Sequence, residues 1–364
     1  MKYSFLTVKY MIPVLGILLS SFTFPPQNPD GLWKGNYVVT YSDGDSTVNL
    51  AKILLKFDGN SFTLANFDNL FTDNKAFINH GIVDSDNNVL IFNKDSINEK
   101  HIEYTFSKDG HLAILTGKNR ETKMIFGKIE KHNLGNMKDE MKKSFLENNF
   151  LFTFSYFDDP VEIEFHPDHS FMVVNSVKPY FPVFSKWDVL TFDNELFVYF
   201  SGMAPFVQIT GYENGVYDCF DESDKVYSGN FKKAENKIKF DKKLIPGIWE
   251  QKNAQDIDFR KIPQALLSRE FYPKQVWIFN DSIAKVFEDF RTSESPFEIS
   301  KNGEMISFIA FNRDSYRHFR IIKLDKEQMI VERYFGELGV KQDTLLRQKK
   351  MPKPTTPEKY FKKK

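Results

Sequence analysis

Apolar and polar residues alternate with a period of two over much of the chain. Tyr37, Val39 and Tyr41 are interleaved with Asn36, Val38 and Thr40, and Ile102, Tyr104 and Phe106 with His101, Glu103 and Thr105. This period places successive side chains on opposite faces of a strand, so one face meets a core and the other meets water. Between such runs sit Asp43-Gly44-Asp45, Asp58-Gly59-Asn60, Asp84-Ser85-Asp86-Asn87-Asn88, Lys108-Asp109-Gly110 and Lys301-Asn302-Gly303-Glu304. Asp-Gly and Asn-Gly pairs supply the positive φ that tight hairpin turns require, and the spacing predicts a meander of antiparallel strands. Helical periodicity is confined to two short stretches. In Asn136 to Glu147 a spacing of four sets Met137, Met141 and Phe145 on one face, and Lys261 to Ser268 centres on Ala265-Leu266-Leu267. The first stretch is polar on its other faces and reads as a connector between two strand-rich blocks.

A repeat organises the pattern further. Gly31-Leu32-Trp33 opens the first strand-rich block and Gly247-Ile248-Trp249 the last, with Pro29 and Pro246 just upstream. The interval between them leaves room for one more block of about 100 residues. That interval contains strand-like runs, Phe150 to Ser155, Glu162 to Phe165, Phe171 to Val174, Leu196 to Tyr199 and Phe206 to Thr210, but no Gly-X-Trp opening. The expected organisation is all-β, with domains over 30–132, 143–240 and 245–350. The tail 351–364 has Pro352, Pro354, Pro357 and a run of lysines with almost no apolar content, and is expected to stay unordered.

The first residues change the picture of where the chain works. Lys2 and Lys9 flank or precede the apolar run Met11 to Leu19, which is followed by Ser20-Ser21 and Pro25-Pro26. Charge, then a short apolar stretch, then small residues is the order read by secretion pathways, and the run is short for a bilayer span. Residues 1–24 are therefore expected to be a signal peptide, with an uncleaved anchor as the alternative because Phe22 and Phe24 interrupt the small-residue pattern. No cysteine follows the run to take a lipid. The chain is expected to be exported, whether periplasmic, cell-surface or secreted, with no transmembrane span after signal removal.

Charge is balanced at 49 basic and 49 acidic residues, which gives no footprint for nucleic acid. Cys219 is the one cysteine, so no internal disulfide forms and stability rests on packing and strand pairing. The 38 phenylalanines are as readily explained by AT-rich codons as by any call for aromatic surface.

The first and third blocks resemble bacterial lipocalin-like domains, carried by Gly31-Leu32-Trp33, by Gly247-Ile248-Trp249, and by Arg320 to Val331 with Leu345-Leu346-Arg347 late in the third block. The resemblance implies tandem closed antiparallel β-barrels joined by short helical connectors. It also implies that Trp33 and Trp249 close a barrel end, with Arg347 lying over the Trp249 ring and Lys128 standing in that place over Trp33. Lumens of such barrels hold a small apolar ligand or are filled by side chains. In the third block the lumen is expected to be lined by Val276, Ile278, Val286, Phe308, Phe319, Ile321 and Val331.

Candidate chemistry is sparse. His166-Pro167-Asp168-His169, with Glu164, offers metal-ligand types, but Pro-Asp-His between two strand runs reads more simply as a hairpin turn. There is no Gly-X-Ser-X-Gly and no phosphate loop. Cys219 has Asp218 and Asp221 beside it, which disfavour the thiolate. Asp158-Asp159 and Asp256 with Asp258 are pairs that glycosidase chemistry uses, yet they sit in turn-like sequence. No catalytic, metal or cofactor residue is therefore assigned. Two aromatic stretches mix rings with proline, Tyr180 to Trp187 and Met203 to Phe206, and proline keeps rings near loops where ligands approach. Tyr180, Phe181, Phe184, Trp187 and Phe206 are the expected ligand-binding residues. The function expected is an exported, non-catalytic binding module for a small apolar ligand or a protein partner. An interaction protein with packed, ligand-free barrels and an exported hydrolase acting through acidic residues on glycan are the alternatives.

Overall fold

The computed structural model describes residues 29–361, apart from 43–44, 69, 72–75, 95, 117–121, 156, 182–184, 203–205, 223–225, 236–237, 254–262, 267 and 310–316. The residues read as a signal peptide lie outside that range. Among the described residues no helix is long and apolar enough to cross a membrane.

The chain is all-β, built as three successive eight-stranded antiparallel units. The first contains β1 (Gly31–Ser42), β2 (Asp45–Leu50), β3 (Ile53–Asp58), β4 (Ser61–Asn66), β5 (Phe77–Asp84), β6 (Val89–Phe92), β7 (Lys100–Phe106), β8 (Leu112–Thr116) and β9 (Thr122–Lys128). β1 pairs with β3 along its first half and β2 along its second, so β2 and β3 act as one interrupted strand, and β1–β9 pairing closes the barrel. After α1 (Lys138–Glu147), the second unit runs through β10 (Phe150–Phe154), β11 (Val161–Phe165), β12 (Phe171–Val173), β13 (Trp187–Phe192), β14 (Glu195–Phe200), β15 (Phe206–Glu213), β16 (Val216–Glu222) and β17 (Val226–Lys233). It is the same meander, joined first strand to last through β10–β17, but between β12 and β13 the described residues make one bridge, Ser170–Lys186. The third unit is a closed barrel of β18 (Gly247–Gln251), β19 (Tyr272–Asn280), β20 (Ile283–Asp289), β21 (Arg291–Ile299), β22 (Met305–Phe308), β23 (His318–Leu324), β24 (Gln328–Tyr334) and β25 (Val340–Gln348).

Turn chemistry fixes the hairpins. Gly59, Asn88, Gly110 and Gly303 all have positive φ in the turns read from the sequence, and Asp193-Asn194 and Asn214-Gly215 do the same after β13 and β15. The stretch 136–147 is helical as expected, with Met141 and Phe145 buried. Of the second helical stretch, Gln264–Leu266 forms a 3₁₀ turn, and 261, 262 and 267 lie outside the described residues. The tail departs from expectation. Thr355 pairs with Phe271, Pro357 starts α2 (Pro357–Phe361), and the Tyr360 ring lies 5.8 Å from that of Phe271, so a backbone pair and a ring contact dock 355–360, while 362–364 lie outside the described residues.

The Gly-X-Trp openings have a shared local cause. Trp33 is 3% exposed and Trp249 fully buried, and each indole Nε1 donates to a carbonyl four residues back, Pro29 at 2.7 Å and Ile245 at 2.8 Å. Lys128 Nζ lies 5.5 Å from the Trp33 ring centroid, and the Arg347 guanidinium lies 4.3 Å from that of Trp249. Each cation–π pair contributes about 1 kcal/mol. Gly31 and Gly247 have φ of 120° and 138°, and a Cβ on Gly247 would stand 2.6 Å from Arg347 Nη1. The positive φ favours glycine at both positions, and at Gly247 a Cβ would also push the guanidinium aside. In the second unit Phe152 takes the tryptophan's place, and its cross-strand partner Phe231 stacks on it at 4.2 Å and 2°.

Each interior holds a cluster of buried side chains, in the first around Trp33, Phe57, Phe62, Tyr104 and Phe126. In the second, Phe145 of α1 inserts among Phe150, Phe165, Trp187, Tyr217 and Phe231, at ring distances of 4.5–5.9 Å. In the third, Trp249, Trp277, Phe279, Phe308 and Phe319 form one cluster, which includes the expected Val286, Ile321 and Val331. The phase expected for β19 is reversed. Trp277 and Phe279 point into that cluster, because Trp277 pairs across from Trp249 and a bulge shifts the strand between Tyr272 and Val276. Towards the opposite end Arg333 is buried, donating to Asp343 at 2.6 Å and to Gln275 at 3.0 Å.

The outer faces of neighbouring units pack together. Leu32, Leu54, Phe67 and Ile129 of the first meet Leu190, Phe197, Tyr199 and Phe206 of the second. Lys34 pairs there with Asp221, and Lys56 and Lys131 both reach Asp193, at 2.7 Å and 2.6 Å. Lys52, at the break between β2 and β3, is 2% exposed, donates to the Phe200 carbonyl, and lies 4.7 Å from the Tyr199 ring centroid. Burial outweighs the attraction of Asp68 and Asp221 and lowers the Lys52 pKa to about 8.

The unfolded chain holds the Lys52 proton up to about pH 10.4, whereas the folded chain releases it above about pH 8. The unfolded state therefore binds more protons in that window, and stability rises with pH. Cys219 acts oppositely, since burial raises its thiol pKa and stability falls above the thiol's unfolded value. A difference measurement separates the two. Between about pH 7.5 and pH 9.5, wild type is expected to gain about 2 kcal/mol relative to Lys52→Met in urea unfolding. Parallel pH profiles of the two proteins would contradict this assignment.

Candidate functional site

The opening between β12 and β13 positions the site. The segment 174–181 leaves β12 and is pinned by Asn175, whose side chain accepts from the Glu162 amide at 2.8 Å and donates to the Pro160 carbonyl at 3.0 Å. It carries Tyr180 and Phe181 back over the aromatic core. The Phe181 ring lies 4.9 Å from Phe171 and 5.3 Å from Phe200, and both Tyr180 and Phe181 lean on Phe157, at 5.4 Å and 5.5 Å. The third barrel stands opposite. Met172, Val174 and Val177 form a small core with Met305, against which Tyr334 packs. The Lys301 amide donates to Glu164 at 2.6 Å, and Lys301 Nζ donates to the Leu146 carbonyl at 3.0 Å.

Between these walls lies a partly open cavity of about 250 Å³. Phe171, Tyr180 and Phe181 line it from the second unit, and Ser307, His318 and Tyr334 from the third, with Ser170, Ser176 and Ser185 adding hydroxyls. Ser307 projects from the outer face of the third barrel because Ile306 and Phe308, its neighbours in β22, are buried in the core. Cross-strand register sets Glu298, Ser307 and His318 in a row over β21, β22 and β23.

Charged groups at the cavity are matched locally. Lys186 Nζ lies 3.4 Å from the Asp168 carboxylate, Lys178 Nζ lies 3.2 Å from Asp159, and Glu298 lies 3.7 Å from His166 Nδ1. Partial burial works against the Asp168 carboxylate, but the Ser170 hydroxyl and amide and the Lys186 ammonium outweigh it and hold its pKa at about 2. Burial, helped by the adjacent Arg317 charge, lowers the His318 pKa to about 4, so this imidazole is neutral at physiological pH. Its Nδ1 is 3.1 Å from the Ser307 hydroxyl.

The structure distributes the five sequence-read ligand candidates over different environments. Tyr180 and Phe181 line the cavity. Trp187 is fully buried inside the second unit, 4.5 Å from Phe165, with Nε1 donating to the His166 carbonyl at 3.3 Å. Proline-bounded sequence suggested a ring near a loop, but β13 begins at Trp187 and turns it inward. Phe206 is sealed against the first barrel, 5.7 Å from Phe67. Phe184 lies outside the described residues.

His166-Pro167-Asp168-His169 forms the β11–β12 turn. His169 has φ of 65°, its amide donates to the His166 carbonyl at 3.1 Å, and Asp168 accepts from the Ser170 amide at 3.0 Å. Among the described residues no three of His, Cys, Asp and Glu converge to hold a metal ion. Cys219 is buried, Asp159 is taken by Lys178 at the surface, and Asp256 and Asp258 lie outside the described residues.

The third-barrel wall was not read from the sequence. Ser307 alternates with Ile306 and Phe308, so its outward direction was legible, but which unit would cover it was not.

No protein-family model and no curated protein matches the chain. Among solved structures, a protein of unknown function of the DUF3598 family from Nostoc punctiforme is similar at 10% identity, covering 88% of this chain and 96% of that one, with a TM-score of 0.19. A double mutant of the vaccine antigen transferrin binding protein B from Haemophilus parasuis is similar at 9% identity over 90% of this chain and 77% of that one, with a TM-score of 0.16. The DNA polymerase III β subunit from Pseudomonas aeruginosa scores 0.15, at 10% identity over 88% and 92% of the two chains. Likeness at these scores carries no argument about what this chain binds.

Proposed function

We propose that this protein is a non-catalytic binding module that works outside the cytoplasm and takes a small molecule between its second and third barrels. The observation that carries the reading is the cavity of about 250 Å³ where the second sheet is open and the third barrel supplies the missing wall. Rings on its walls and a few convergent polar groups give it the character of a small-ligand site, and a volume just under the usual range of about 300–1,000 Å³ restricts it to a small occupant. The lumens are the weaker alternative, because Phe145, Trp187, Trp249 and Trp277 occupy space that a ligand would need. Export rests on the apolar run Met11 to Leu19 behind Lys2 and Lys9.

Binding is favoured over hydrolysis by the state of the polar groups. Asp168 and Glu298 each already face a basic side chain, and an imidazole with a pKa of about 4 is a weak general base for Ser307 at neutral pH.

The test is titration with N-phenyl-1-naphthylamine, a neutral fluorophore that brightens in apolar surroundings. Wild type is expected to bind one probe per chain. Ser307→Trp, which adds bulk on the outer face of β22 and leaves the barrel core untouched, is expected to weaken binding at least tenfold, about 1.4 kcal/mol. Unchanged affinity in Ser307→Trp would overturn the assignment of the site.

A further inference from the structure

We infer that the ligand of this cavity is a neutral saccharide, one or two sugar rings in size. The inference rests on the binding-module reading and adds the ligand's chemical class.

Three features of the walls decide between ligand chemistries. The first is charge. Lys178, Lys186 and Glu298 are each within 3.2–3.7 Å of an oppositely charged or basic partner, in Asp159, Asp168 and His166, and Arg317 also has a partner. A carboxylate or phosphate would share Lys178 and Lys186 with Asp159 and Asp168 in exposed, individually weak pairs, and so gains less than it would from an uncommitted cation. A cationic ligand meets the same obstacle at Asp168 and Glu298.

The second feature is the density of uncharged hydrogen-bonding groups. Ser170, Ser176, Ser185 and Ser307 contribute hydroxyls, Tyr180 and Tyr334 contribute phenols, and His318 stands neutral beside Ser307. Ser170 is bonded to Asp168, Ser176 to the Lys178 amide and Ser307 to His318, and each hydroxyl has a donor or acceptor beyond these that a wholly apolar molecule would cover without a bond in return. A ligand rich in hydroxyls can use that remaining capacity, since a hydroxyl both donates and accepts as serine and neutral imidazole require.

The third is the aromatic surface. Phe171, Tyr180 and Phe181 stand on one wall and Tyr334 on the other. A pyranose carries an apolar face of C–H groups between its equatorial hydroxyls, so it satisfies rings and hydroxyl donors together. Neither a hydrocarbon nor a small ion does both. The volume of about 250 Å³ accommodates a monosaccharide fully and a disaccharide with one end open to solvent.

The experiment is competition on the full chain. N-phenyl-1-naphthylamine is bound first, and neutral disaccharides of hexose and of N-acetylhexosamine, a hexuronate, free amino acids and nucleosides are added separately to about 10 mM, the weak end of useful affinity. At least one neutral disaccharide is expected to displace the probe, the hexuronate to be at least tenfold weaker, and Tyr180→Phe to weaken the disaccharide several-fold by removing one hydroxyl while keeping the ring. Calorimetric titration of the same disaccharide without fluorophore is expected to return one site per chain, lost in Ser307→Trp.

If the probe binds and Ser307→Trp removes it, but no saccharide competes, or amino acids or nucleosides compete instead, the saccharide inference is overturned and the binding module stands. If saccharide binding survives Ser307→Trp, this cavity is not its site and the inference is overturned. If neither probe nor saccharide binds the folded wild type, both readings fall.

Discussion

Trp249→Ala is expected to lower the unfolding free energy of the third barrel by about 3–5 kcal/mol, the range of large aromatic truncations in cores. Three contacts are lost together. The ring is fully buried, its Nε1 holds the Ile245 carbonyl at 2.8 Å, and its face carries the Arg347 guanidinium at 4.3 Å. Arg347 in turn donates to the carbonyls of Leu244 and of Pro246, the latter at 3.0 Å. Removing the indole therefore loosens the segment that enters the barrel as well as the seam between β18 and β25. Trp249→Phe keeps most of the packing and is expected to cost less than half as much. Guanidinium unfolding followed by hydrogen exchange in β18 and β25 reads both effects. A loss below about 1 kcal/mol for Trp249→Ala would mean that the ring is not the closure of that barrel.

Phe145→Ala is expected to be as severe, about 3–5 kcal/mol in the second unit. The side chain is the ring that α1 sends, together with Met141, into the sheet's interior. It stacks on Phe165 at 4.5 Å and 15°, and lies 4.5 Å from Phe150 and 5.2 Å from Phe231. Ring pairs of this kind add about 0.5–1.5 kcal/mol each beyond the area they bury. The sheet is open between β12 and β13, so little strand pairing resists rearrangement there once the helix lets go. The variant is also expected to bind a second molecule of N-phenyl-1-naphthylamine in the space vacated. Stability within about 1 kcal/mol of wild type would show that α1 is a connector lying on the barrel rather than its plug.

Much of the fold was legible because hairpin chemistry is local. Asp58-Gly59-Asn60 and Lys108-Asp109-Gly110 read as turns in the sequence and are turns in the structure. Closure of the ends was legible where Gly-X-Trp survived. It was hidden in the second unit, where Phe152 and Phe231 replace tryptophan and cation and leave no motif. Phase failed in β19 because Val276, Trp277, Ile278 and Phe279 are all apolar, and a bulge, which no local signal marks, decides which pair faces in. In β14 every residue is buried, since Leu196, Val198 and Phe200 fill the second unit while Phe197 and Tyr199 meet the first barrel. Contacts of that kind erase the period-two pattern.

The candidate site suffered from the same limit. Tyr180 and Phe181 stood out as rings beside proline, but Ser307 and His318 come from a unit more than 100 residues away in sequence and carry no motif. A cavity between barrels is a property of their packing, and packing partners are not written in local alternation.

The most direct test of the account is hydrogen exchange on the full chain with and without saturating N-phenyl-1-naphthylamine. Ligand between the barrels is expected to slow exchange at amides of 170–181 and of β22 and the start of β23, while strands around the three lumens stay unchanged. Protection confined to the lumen-lining strands, with none at 170–181 or β22, would contradict it.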